Sequence, residues 1–142
     1  MPREHDLYEH ASNDYSGGFR MKTDIKAYLN QNKSMNFNEL LFSYIDEIGC
    51  KDSEIYKKVD IDRKLFSKIR CGNYIPKRSN VIKLCLSLRL DKEKFNNLLN
   101  SAGYSLSNNT EFDLIISYCI DNNIYDINIV NDYLYTFSNA VL

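Results

Sequence analysis

The sequence predicts an all-α fold, and three observations carry that reading. The 142 residues include only five Gly and two Pro, which leaves too few tight-turn positions for a many-stranded sandwich or barrel. Apolar residues recur at intervals of three and four along most of the chain, the repeat of a helix with one buried face. Capping side chains and glycines fall where those stretches begin and end. Hydrophobic types make up 44% and charged types 26%, enough for one packed core. A collagen, a disordered tail and a two-domain enzyme are thereby excluded.

Residues 1–22 mix charge, His, Ser and a Gly17-Gly18 pair without a hydrophobic period, so they are expected to form a flexible arm or an expression remnant, with Met21 an alternative start. A short helix is expected from Thr23, where Ile25, Tyr28 and Leu29 stand at i, i+3, i+4. Phe37, Leu40, Leu41, Tyr44, Ile45 and Ile48 trace a longer buried stripe, with Asn36 and Glu39 at capping-box spacing and Gly49 to end it. Asp52 or Ser53 opens a short helix to about Lys58, turning Ile55 and Val59 inward, and Asp62 caps another from Arg63 to Arg70 before Gly72. Pro76 and Ser79 introduce a helix through Leu88 with Val81, Ile82 and Cys85 in register. Asp91 caps the next, whose face is Phe95, Leu98, Leu99 and Ala102, and Gly103 terminates it.

Past the polar stretch Ser107 to Thr110, the residues Phe112, Ile115, Ile116, Cys119 and Ile120 form a further helical stripe. Asp126 caps a last helix with Ile127, Val130, Tyr133, Leu134 and Phe137 inward. Ile127 to Val130 and Tyr133 to Tyr135 also alternate as strands would, but the capped helical spacing is the reading adopted. The chain thus divides into an arm at 1–22, a main domain at 23–106 and a helical extension at 107–142.

The four cysteines, at 50, 71, 85 and 119, never form a CxxC pair, and His5 and His10 lie in the arm, so no metal site is expected. No stretch reaches the ~20 apolar residues of a membrane span and no signal-peptide core follows Met1. The expected location is the cytoplasm, with free thiols. No Ser/His/Asp set, paired-carboxylate signature or phosphate-binding loop stands in the sequence. A non-enzymatic protein without a cofactor is expected.

Within Ile55 to Gly72, the apolar positions Ile55, Val59, Ile61, Phe66 and Ile69, with the closing Gly72 and downstream Pro76, match the buried positions of a helix-turn-helix. Over Phe37 to Gly103 the chain resembles the phage-repressor-like (XRE-type) helix-turn-helix superfamily. The strings Ile61 to Arg70, Leu98-Leu99, Ala102 to Tyr104, Tyr125 to Ile127 and Asn131 are similar to a Firmicute module found alone or appended to larger proteins such as macro-domain proteins. The resemblance implies a five-helix domain, here with two additional C-terminal helices and a short N-terminal one, acting as a DNA-binding transcriptional regulator.

Three residues depart from that family's pattern. Tyr56 replaces a small residue where two helices cross, Asp60 replaces the usual turn Gly, and Asp52 stands where a Gln often meets a phosphate. Asp tolerates the left-handed conformation, whereas an acid at 52 repels DNA unless it only caps its helix. These departures favour a runner-up reading, a protein-interaction module of the same fold that has lost DNA binding and docks to an effector or defence protein.

Charge favours the first reading. The whole chain carries −1, but Lys51 to Leu90, with eleven basic and four acidic residues, carries +7 and the remainder −8, the split expected when one face meets phosphates. With Phe66 and Ile69 inward, Arg63, Lys64, Ser67 and Lys68 face a groove of duplex DNA, and Lys77 and Arg78 join them. RNA binding lacks an aromatic stacking platform. Repressor-type domains bind as twofold dimers. Ile124, Tyr125, Ile129 and Tyr135, off the inward stripes of the extension, are the expected homodimer surface, the alternative being that these helices fold back and bury both faces within one chain.

Overall fold

The computed structural model describes residues 15–142, with side chains from Met21 onward. Among these residues the secondary structure is helical throughout, and the fold is all-α. The chain separates into two units, one ending at Ser34 and one spanning Met35–Leu142.

In the first unit, α1 runs Tyr15–Asn32. It starts before the Thr23 expected from sequence, so residues 15–22 are helix; the expectation for 1–14 lies outside the described residues. Ile25, Tyr28 and Leu29 do share one face, but all three are exposed.

The second unit holds α2 (Phe37–Ile48), α3 (Asp52–Lys57), α4 (Arg63–Arg70), α5 (Arg78–Ser87), α6 (Lys92–Ser101), α7 (Glu111–Asp121) and α8 (Ile127–Ser138). Side-chain caps start most of them. The Asn36, Asp62, Asp91, Thr110 and Asp126 side chains each accept a backbone N–H two or three residues ahead, satisfying donors that a helix start leaves orphaned. Gly49 ends α2 at φ 77°, a conformation that a Cβ would disfavour.

The centre of the unit is α5, which packs against α3, α6 and α8. Val81, Ile82, Leu84, Cys85 and Leu86 are all buried, so its sides are covered all round rather than along one stripe. Leu84 and Leu86 therefore escape a one-face reading of the sequence. Helix α2 packs on α6, and α7 lies against α8 as a helical hairpin. The stripes Leu41, Tyr44, Ile45; Phe95, Leu98, Leu99; Ile116, Cys119, Ile120; and Ile127, Val130, Leu134 close one continuous core. Residues 107–142 are thus part of the same compact unit as the preceding helices.

Two expected core residues lie outside it. Ile48 is exposed: it is the last residue of α2, and the inward stripe of that helix ends at Ile45. Phe137 is 66% exposed: the inward stripe of α8 follows Ile127, Val130 and Leu134, and Phe137 sits at its edge in the final turn. The 127–135 segment, which also alternates as a strand would, is helix.

Candidate functional site

Helices α3 and α4 pack against each other, joined through Val59-Asp60-Ile61. Val59 and Ile61 are buried, and Asp60 between them takes φ 56°. Asp is one of the few residues that visit this left-handed region at modest cost, so the acid fills the role for which a turn glycine serves. The Ile61 N–H donates to the Tyr56 carbonyl at 3.0 Å, closing the turn.

Phe66 and Ile69 of α4 are buried. The Tyr56 ring meets Phe66 with centroids 5.4 Å apart and tilted by 41°, and Phe42 of α2 meets the same ring edge-on at 6.0 Å. The bulky Tyr56 is thus accommodated by a cluster of three rings, an arrangement aromatic quadrupoles favour. The Asn38 side-chain amide donates to the Ile69 carbonyl, which ties the end of α4 to α2.

With that face turned inward, Arg63, Lys64, Ser67 and Lys68 are all exposed. Arg63 and Lys64 begin α4 and, among the described residues, form no ion pair; Lys68 places its ammonium 4.5 Å from the centre of the Tyr74 ring, a cation–π contact. A groove of about 550 Å³ runs between α3 and α4, lined by Lys51, Asp52, Tyr56, Arg63, Ser67 and Arg70 among others.

Across this groove Asp52 neither caps α3 nor stands free. Arg70 donates to both its carboxylate oxygens, at 2.7 and 2.6 Å, and lies 4.2 Å above the Phe42 ring. Donating to the Asp52 carboxylate raises the Arg70 pKa above its ordinary value. The pair neutralises the acid and also withdraws Arg70 from the free positive charge. Its separation of 18 residues leaves no local signature, which is why sequence spacing missed it.

The two remaining candidate contacts diverge. Lys77 precedes α5 and is exposed. Arg78 is engaged within the protein: its guanidinium binds the carboxylate of Asp113 and donates to the Ser105 carbonyl at 3.3 Å. Asp113 is buried and also accepts the Ser107 N–H at 2.7 Å. Arg78 therefore fastens α5 to α7.

The expected association surface is also divided. Ile124 and Tyr125 pack against the core, with the Tyr125 hydroxyl donating to the Leu90 carbonyl at 3.0 Å and Arg89 over its ring. Ile129 and Tyr135 are exposed, but six residues apart they lie about 120° from one another around α8. They do not form one patch. A contiguous apolar groove of about 470 Å³ opens elsewhere, between Leu114, Ile115 and Tyr118 of α7 and Tyr133 and Phe137 of α8.

Among the described residues, no group of three or more His, Cys, Asp or Glu side chains is placed to hold a metal ion, and no helix is long and apolar enough to cross a membrane. Comparison of the chain with family models, with curated proteins and with solved structures finds no match.

Proposed function

We propose that this chain is a non-enzymatic regulator that binds duplex DNA through α3 and α4, arranged as a repressor-like helix-turn-helix. The observation that carries the reading is the exposed face of α4, where Arg63, Lys64, Ser67 and Lys68 stand together while Phe66 and Ile69 anchor the opposite face in the core. Its first residues are basic and uncompensated, and the N-terminal end of such a helix is the part that reaches base edges in a major groove. Lys51, Lys57, Lys58 and Lys77 are exposed around it and supply phosphate contacts, which give affinity without sequence information.

A second reading has its own support. Arg70 and Arg78 are held by Asp52 and Asp113, so two of the eleven cations of the basic segment are engaged internally. A protein-docking module of the same fold needs no more charge than remains.

Duplex binding separates the two. Electrophoretic mobility shifts on genomic fragments at two salt concentrations are expected to show affinity that falls steeply with salt. Reversing charge at Arg63, Lys64 and Lys68 together is expected to abolish the shift with the circular dichroism unchanged. If the unaltered protein has no salt-dependent affinity for any duplex, the docking module is the better account.

A further inference from the structure

The α7–α8 groove lies outside the proposed DNA-contacting helices, and its chemistry is different. Leu114 and Tyr118 on α7 and Phe137 on α8 are all large, apolar and roughly half exposed or more, and Ile115 and Tyr133 beside them are partly exposed. The Tyr118 and Tyr133 rings meet edge to face, with centroids 6.5 Å apart, and form the floor between the two helices. At about 200 Å² per large side chain, this is roughly 400 Å² of accessible apolar surface, the scale of one partner's share in the apolar centre of a standard interface.

The charged side chains that α7 and α8 themselves carry around the groove are all acidic. Along α7, Glu111, Leu114, Tyr118 and Asp121 follow one another at intervals of three and four, so an acid closes each end of the apolar line. Asp132 is exposed on the outer side of α8, one residue before Tyr133. Glu111 and Asp132 have no ion-pair partner among the described residues, and Asp121 meets only Lys92, at 3.5 Å on the surface. Lys94 is the last basic residue of the chain, so the segment 95–142 carries five acids and no Lys or Arg.

We infer that this groove is a docking site for a cationic amphipathic helix of a protein partner, whose apolar stripe lies between α7 and α8 and whose flanking Lys or Arg side chains meet Glu111, Asp121 and Asp132. The apolar floor between two antiparallel helices, about one turn of each helix in length, fits the side chains of one face of a helix at i and i+3 or i+4. Charge selects among such helices. A like face from a second copy would set acid against acid, which is unfavourable, and nucleic acid would be repelled by the same acids. The inference concerns a surface separate from α3 and α4 and stands whether or not the chain binds DNA.

The test uses the full chain and a labelled synthetic helix of three turns, bearing Leu at the stripe positions and Lys beside them, with a control in which Glu replaces each Lys. Fluorescence anisotropy is expected to show the Lys peptide binding at least about tenfold tighter than the Glu peptide, with an advantage that shrinks as salt is raised. The exposed pair Tyr118→Ser and Phe137→Ser is expected to abolish binding, and Glu111→Lys with Asp132→Lys to reverse the preference between peptides. Because these side chains are exposed, the variants are expected to keep their thermal midpoint. The charge-reversed variant keeps the groove intact, so it tests charge selection even if the serine pair proves unstable. Equal binding of both peptides, or no binding, overturns the inference. A dimer of the chain alone in sedimentation, lost in Tyr118→Ser/Phe137→Ser, would assign the groove to a second copy and also overturn it.

Discussion

Phe66 couples the inward and outward faces of α4, because its ring is held between Tyr56 and Phe42 while its neighbours Lys64 and Ser67 face solvent. Truncating it removes both ring contacts and leaves a cavity under the helix. Phe66→Ala is expected to cost about 3–5 kcal/mol, read as a lower denaturation midpoint in urea; an unchanged midpoint contradicts the packing described. The burial of Phe66 and Ile69 was legible in their spacing of three residues within a short capped segment. The left-handed turn at Asp60 was legible through the resemblance, which sets a turn residue at that position, and Asp is among the few that can fill it. The partner of each charge was not. Asp113 reads as an ordinary first-turn acid on α7, which favours the helix dipole, and its burial follows only from Arg78, 35 residues earlier.

At the scale of elements, that contact decides how firmly α7 is attached to the rest of the unit. Arg78 stands at the start of α5, and its side chain is 32% exposed whereas that of Asp113 is 6% exposed. Arg78→Met keeps much of the stem but leaves the Asp113 carboxylate with the Ser107 N–H alone. The expected loss is roughly 2–3 kcal/mol, below the 3–5 kcal/mol of a fully buried pair because water still reaches the arginine. Adding Asp113→Asn removes the stranded charge, so the double variant is expected to be more stable than Arg78→Met alone in thermal denaturation; equal or lower stability contradicts the arrangement. Most helices of the second unit were legible from caps and stripes because those signals are local. The pairing of α3 with α4 through Asp52 and Arg70 was not, and neither was the all-round burial of α5, since both depend on which helices surround an element. The apolar groove differed from the expected surface for the same reason. The sequence placed Phe137 inward and Tyr125 outward, whereas the hairpin of α7 and α8 exposes the first and anchors the second on Leu90.

Across the whole molecule, burial acts in one direction on groups that ionise at high pH. The thiols of Cys85 on α5 and Cys119 on α7, and the phenols of Tyr44 on α2 and Tyr125 before α8, all have pKa values raised mainly by desolvation. Their ordinary values are 9.0 for the thiols and 10.0 for the phenols. On raising the pH, the unfolded chain therefore loses these protons before the folded chain does. The unfolded state gains the more from ionisation, so stability that is complete below the ordinary values declines as the pH climbs through them toward the raised folded values. The urea midpoint is expected to be level from about pH 7 to about pH 8 and to fall by about pH 10.5. Tyr125→Phe separates this effect from general charge repulsion. Near pH 7 it loses the hydroxyl's bond to Leu90, at a cost of about 1 kcal/mol. A phenylalanine has no proton to release, so the midpoint of this variant is expected to fall less between neutral and alkaline pH than that of the unaltered protein. Parallel pH profiles for the two would show that Tyr125 ionises alike in both states, contrary to its half-buried place under Arg89.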